Sequence, residues 1–211
     1  MSGSEPFTAD DIRGVLHRPG TPSGHGLALT HGAGGNCNAP LLAAAANAFS
    51  AAGFIVLRFD LPFRQRRPSG PPSPHGAAAD RAGIQRAAVA LRALAPGRII
   101  LGGHSYGGRQ ATMLAADEPG IADALLLFSY PLHPPAKPEQ LRTQHFPRLR
   151  TPAVFVHGTT DGFGSIDEMT AALALIPAPT ELLPIAGAGH DLKRGKIDFQ
   201  PIIAAVMRLA G

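Results

Sequence analysis

Six short apolar runs recur along the sequence, separated by alanine-rich stretches with helical spacing, and this alternation limits the fold more than any other feature. The runs are GLALTH (Gly26 to His31), FIVLRFD (Phe54 to Asp60), RIILGG (Arg98 to Gly103), DALLLFSY (Asp123 to Tyr130), AVFVHG (Ala153 to Gly158) and TELLPI (Thr180 to Ile185). Most are apolar almost throughout, which suits strands covered on both faces. Strands alternating with helices predict an α/β fold with a mostly parallel central sheet and helices on both sides.

The intervening helices have legible ends. Asn38 is placed to cap a helix with Pro40 in its first turn, whose apolar face runs Leu41, Leu42, Ala45, Ala48, Phe49 and Ala52 until Gly53. A second buries Ile84, Ala88 and Leu91, turns Arg81, Arg86 and Arg92 outward, and stops before Pro96. SIDE (Ser165 to Glu168) reads as a capping box opening a third, and Ile202, Ile203, Val206 and Leu209 stripe the last. The stretch from Leu61 to His75, LPFRQRRPSGPPSPH, is too rich in proline for a helix or strand by this reading. It follows a strand end, the edge at which open α/β sheets hold ligands.

At 211 residues, with 45% apolar and 16% charged side chains, the chain suits one globular domain spanning residues 1–211. No repeat or interdomain linker interrupts it. No apolar run approaches the ~20 residues of a membrane span, and the opening MSGSEPFTADD lacks the basic and apolar regions of a signal peptide. The expected location is the cytoplasm, with no membrane partner. A single cysteine, Cys37, rules out an internal disulfide and a cysteine-based zinc site, and reads as a small packed residue. The net charge of +4 admits an acidic partner, but only Arg64, Arg66 and Arg67 cluster, which argues against nucleic acid. Nothing in the sequence specifies an oligomeric state.

Chemistry enters at GGHSYGG, Gly102 to Gly108. A hydroxyl is a poor nucleophile at neutral pH, so a catalytic serine needs a base, a group that orients the base, and donors for the developing oxyanion. On a tight strand-to-helix turn the flanking glycines let strand and helix close together, lifting Ser105 clear of the sheet. The Tyr106 N–H then opens a helix, where negative charge is favoured. In a chain with 25 glycines the motif alone is weak evidence; the apolar run before it and the helical GRQATMLAAD after it supply the context.

The order nucleophile, acid, base is met downstream by Asp161 in VHGTTDGFG and His190 in IAGAGHDLK, each just after a strand run. Other acids fit less well: Asp117 near a helix end, Asp123 opening a strand, Asp167 in a helix's first turn, Asp191 beside the histidine itself. Upstream, LTHGAGGN lacks the lysine and hydroxyl of a phosphate loop and offers a second oxyanion donor, the N–H of Ala33 or alternatively Gly34, with His31 bracing the loop.

These segments, with VLRFDLPF and SYPLHPP, resemble the α/β-hydrolase superfamily over nearly the whole chain. More narrowly they are similar to its dienelactone-hydrolase-related branch, which includes a testis-expressed eukaryotic protein and a subunit of a histone-acetyltransferase regulatory complex. The resemblance implies Ser105 as nucleophile, Asp161 as acid and His190 as base, with no metal or organic cofactor. Dienelactone hydrolases proper carry a cysteine where this chain has Ser105, and many branch members have a basic residue and a methionine where it has His104 and Tyr106.

The function expected is a serine hydrolase for small carboxylic esters or thioesters, working through an acyl-serine. The alternative is an interaction module that keeps the fold without catalysis. Without a lid insertion the pocket would be walled by the loop after Leu61 and by Pro131 to Gln140, with Phe63, Arg64, Tyr106, Tyr130 and His133 as candidate lining. An inward-facing Arg64, Arg66 and Arg67 cluster would favour an anionic substrate.

Overall fold

The computed structural model describes residues 3–211. The six strand runs become β3 (Gly26–Thr30), β4 (Ile55–Phe59), β5 (Ile99–His104), β6 (Ala124–Phe128), β7 (Ala153–Gly158) and β8 (Thr180–Ile185). Ahead of them lie two strands not anticipated from the sequence, β1 (Gly3–Ala9) and β2 (Ile12–Arg18). All eight form one sheet in the order β1-β2-β4-β3-β5-β6-β7-β8. β3 to β8 run parallel, whereas β1 on β2 and β2 on β4 are antiparallel. The fold expected from the alternating pattern is therefore the one observed, with an antiparallel hairpin added at one edge.

Strand alternation, hidden in the sequence because both faces are apolar, sorts the core into two layers. Leu27, Leu29, Val56, Ile100, Leu126, Val154 and Val156 pack against α1 (Pro40–Ala51) and α6 (Phe199–Ala210) through Leu42, Phe49, Ile202 and Val206. Their neighbours Ala28, Leu57, Ile99, Leu101, Leu125 and Phe155 face the opposite layer. That layer holds α3 (Ala77–Leu94), α4 (Tyr106–Asp117) and α5 (Ile166–Leu173), through Ile84, Leu91, Ala111, Leu114 and Met169.

Helix ends depart from expectation in one place. α1 starts with Pro40 at its first position, but the flanking residue is Ala39 and no side chain caps it; the Asn36 side chain instead accepts the Asn38 N–H at 2.8 Å. The Ser165–Glu168 capping box on α5 is present with both bonds. Within the proline-rich stretch, Pro62–Arg66 forms a short helix, α2, and Pro74–Gly76 a 3-10 turn. Expecting neither was wrong because proline at a helix's first position sacrifices no hydrogen bond. No helix among the described residues is long and apolar enough to cross a membrane.

Candidate active site

Ser105 stands between β5 and α4, with φ +50° and ψ −114°. A non-glycine residue held there is strained, and the surroundings explain how it persists. Its N–H bonds the Phe128 carbonyl at 2.9 Å, and its carbonyl accepts from Arg109 N–H at 2.9 Å. The glycines beside it are places where chains touch. A Cβ on Gly103 would run into the Thr30 carbonyl, and one on Gly107 would come within 2.6 Å of the His31 carbonyl oxygen.

The loops after β7 and β8 bring two further groups to this edge. His190 Nε2 lies 2.8 Å from Ser105 Oγ, and its Nδ1 lies 2.8 Å from Asp161 Oδ2 and 3.0 Å from Oδ1. The carboxylate can only accept, so Nδ1 carries the proton and Nε2 is free to take one from the serine. The Asp161 side chain is fully buried and also accepts the Phe163 N–H at 2.8 Å, which fixes its rotation. His157 flanks it, 3.6 Å from Oδ2, donating Nε2–H to the Gly164 carbonyl at 2.8 Å; burial lowers its pKa. Phe163 stacks on the His190 ring, centroids 4.0 Å apart. The structure thus brings together the three residues singled out from the sequence.

Ala33 and Gly34 border the same cavity as Ser105, in the loop after β3, and Tyr106 supplies one of the unpaired N–H groups of α4's first turn. His31 braces that loop from within: Nδ1 donates to the Gly32 carbonyl at 2.8 Å and Nε2 accepts the Leu61 N–H at 3.1 Å. Burial lowers its pKa, in keeping with a neutral ring.

The cavity measures about 430 Å³ and is mainly apolar, walled by Ala33, Ala39, Pro40, Leu41, Leu42 and Phe163, with Asp191 and Lys193 at one side. This corrects the lining expected from the sequence. Phe63 is a core residue edge-on to Tyr106. Arg64 is buried and faces neither substrate nor solvent: it donates to the carbonyls of Ala33 (2.9 Å), Gly35 (2.7 Å), Arg67 (3.2 Å) and Gly70 (3.0 Å). The Tyr130 hydroxyl donates to the Arg142 carbonyl at 2.6 Å deep in the core, and His133 bonds the Pro134 carbonyl at 3.0 Å. The Tyr106 side chain points away, its hydroxyl on Asp80 at 2.8 Å, with burial raising its pKa. All five were chosen for following strand ends, but the chain turns them inward: Phe63 packs in the core, Tyr106 bonds the Asp80 carboxylate, and Arg64, Tyr130 and His133 bond backbone carbonyls. The true walls, Ala39 to Leu42 and Phe163, carried no local signal beyond being apolar. Cys37 is buried, and burial raises its thiol to about 11, as expected of a packed, unreactive residue.

The sequence profile of the alpha/beta hydrolase domain matches residues 24–202. The chain belongs to the alpha/beta hydrolase domain family. Solved structures agree on the fold. This alpha/beta hydrolase superposes on TT1662 from Thermus thermophilus with a TM-score of 0.72 at 21% identity, covering 100% of this chain and 96% of that one. A dienelactone hydrolase from Anabaena variabilis matches with a TM-score of 0.70 at 18% identity, over 99% and 95% of the two chains. XC6422 from Xanthomonas campestris, described as an α/β serine hydrolase without lid, gives 0.74 at 17%, over 98% and 94%. These similarities show a shared fold, one that a dienelactone hydrolase also has; neither comparison carries the narrower likeness to the testis-expressed group.

Proposed function

We propose that this alpha/beta hydrolase cleaves small carboxylic esters or thioesters through an acyl-serine. The observation that carries the reading is the relay in which Ser105 Oγ, His190 and Asp161 are joined by two 2.8 Å contacts. His190 Nε2 takes the Ser105 proton as Oγ attacks the carbonyl carbon, and returns it to the leaving group as that bond breaks. Water then attacks the acyl carbon as it loses a proton to the same nitrogen, which passes that proton to Ser105 Oγ as the acyl–Oγ bond breaks and the acid leaves. Asp161 holds the Nδ1–H tautomer and stabilises the transient imidazolium. The N–H groups of Tyr106 and of Ala33 or Gly34 are the candidate oxyanion donors.

The apolar walls favour an uncharged acyl or alcohol portion, and about 430 Å³ suits a small ligand. With Arg64 turned onto backbone, the support for an anionic substrate falls away. A reducing cytoplasmic setting fits the one buried thiol, Cys37.

The test is a series of nitrophenyl esters of increasing acyl length, with fluorophosphonate labelling, on wild type and Ser105→Ala. Turnover and labelling by wild type, with the variant down by up to about six orders of magnitude or at background, is the expected result. A folded wild type that neither turns over nor labels would favour the non-catalytic interaction module.

A further inference from the structure

His104 ends β5, directly before Ser105, and its ring borders the catalytic cavity. Its Nε2 lies 2.8 Å from the backbone carbonyl oxygen of His190. A carbonyl only accepts, so Nε2 carries the proton and Nδ1 is bare. The ring sits 5.3 Å from that of His190, centroid to centroid, and on its other side rests against Gly32, where a Cβ would stand 2.9 Å from Nδ1. It is therefore wedged between the loop after β3 and the loop that carries the candidate base.

That second loop is tied to the loop after β7 at Gly187 and Ala188, through Thr159 Oγ1 and through Thr160 N–H and Oγ1, each at 2.9 Å, but these bonds stop two residues short of His190. Gly187, at φ +69°, and Gly189 flank Ala188 in the three residues before His190, and glycine backbone has more freedom to lose than any other. No other donor among the described residues reaches the His190 carbonyl.

We propose that His104 is a positioning residue: its Nε2–H, bonded to the His190 carbonyl, ties the base-bearing loop to the nucleophile turn and so sets the reach from His190 Nε2 to Ser105 Oγ. The role rests on the Ser105, His190 and Asp161 relay proposed above. Because His104 precedes the nucleophile in the chain, any shift of Ser105 carries the anchor of its base with it. Charges acting on the ring are His190, which disfavours a second cation when it is protonated, and the carboxylates of Asp161 and Asp191, which favour one. Burial, the largest influence, lowers the His104 pKa against the raising effect of its bond to the His190 carbonyl, which favours a neutral donor beside a base that must become positive.

Two variants separate the hydrogen bond from the bulk of the ring. His104→Leu keeps volume and loses the donor; His104→Gln offers an amide N–H to the same carbonyl. With a nitrophenyl ester, His104→Leu is expected to lower kcat about 10- to 100-fold while KM moves less than about threefold, the scale set by small misplacements of reacting groups. His104→Gln should recover most of that loss. A second readout is independent of turnover: the far-downfield proton resonance of His190 Nδ1–H bonded to Asp161, identified by its absence in Asp161→Asn. It should be sharp in wild type and His104→Gln and exchange-broadened in His104→Leu. If His104→Leu keeps both kcat and a sharp resonance, or if both variants lose kcat equally, the proposed role is wrong. Should wild type show the resonance yet hydrolyse no ester, the ester-hydrolase reading fails, and the resonance in the two variants still decides for or against His104.

Discussion

At the scale of single residues, the site depends on protons being in the right places. Asp161 is buried with two N–H donors, one from the His190 ring and one from the Phe163 backbone. Asp161→Asn keeps the shape and an acceptor for Phe163, but lets its amide nitrogen face Nδ1, which drives His190 to the tautomer with Nε2 protonated. That nitrogen can then no longer take the serine proton. The expected outcome is a fall in kcat of about 10⁴-fold with the fold retained, read by ester kinetics beside a melting curve. A variant within tenfold of wild type would remove Asp161 from the mechanism. The three residues were legible because their chemistry leaves a pattern: a serine among glycines after an apolar run, then an acid and a histidine after later strands. Phe163, which covers the His190 ring, left none, since one aromatic beside a glycine reads equally as packing.

Among the elements, α2 and the proline-rich segment after it do the most that sequence alone did not reveal. One buried guanidinium from α2 joins four carbonyls, two in the loop that holds Ala33 and Gly34 and two in its own segment. Its planar fork suits this, and a lysine could not reproduce it. Removing it leaves those carbonyls to be satisfied by water or by movement of the loop, and the candidate oxyanion donors move with it. Arg64→Met is expected to lower kcat by about 10- to 100-fold, below the ~10²- to 10³-fold cost of deleting an oxyanion donor, because the N–H groups remain but are less well held. KM should change by less than about threefold, and Arg64→Lys should recover little. Steady-state kinetics of both variants checks this; unchanged kcat in Arg64→Met would leave Arg64 a purely structural strut. The hairpin of β1 and β2 escaped notice for a different reason. β1 lies at the sheet edge and is mostly exposed, with Pro6 inside it, so it neither alternates nor carries an apolar run.

For the whole molecule, the buried histidines contribute to how it responds to acid. His17, His31, His104, His145 and His157 all have pKa values lowered chiefly by burial. Burial pushes His145 down to about 4 from an ordinary 6.5, with Arg109 and Arg148 adding to the effect and Asp117 opposing it. It donates Nε2–H to Thr112 Oγ1 at 2.8 Å, that hydroxyl's own proton being used on the Arg109 carbonyl. A folded pKa below the unfolded one means the unfolded chain binds more protons between the two values. The stability from a neutral His145 is therefore complete above about pH 6.5 and is lost as the pH falls toward 4. Melting temperature should drop steadily on acidification through that window, and His145→Gln, which keeps a donor for Thr112, should flatten part of the slope. A variant with the same slope as wild type would show that His145 is not among the groups responsible.

The sequence by itself determined the layer architecture, the parallel strands and the candidate trio Ser105, Asp161 and His190 in that order, because each depends on local patterns: apolar runs and glycine turns that a window of about ten residues contains. Tertiary structure alone decided which side chains face the cavity. Arg64 and Tyr130 follow strand ends as ligand-binding residues do, yet each turns inward to a backbone carbonyl of another segment. The physical reason is that a polar side chain near a sheet edge goes where unpaired backbone must be satisfied, and that demand is set by segments distant in sequence.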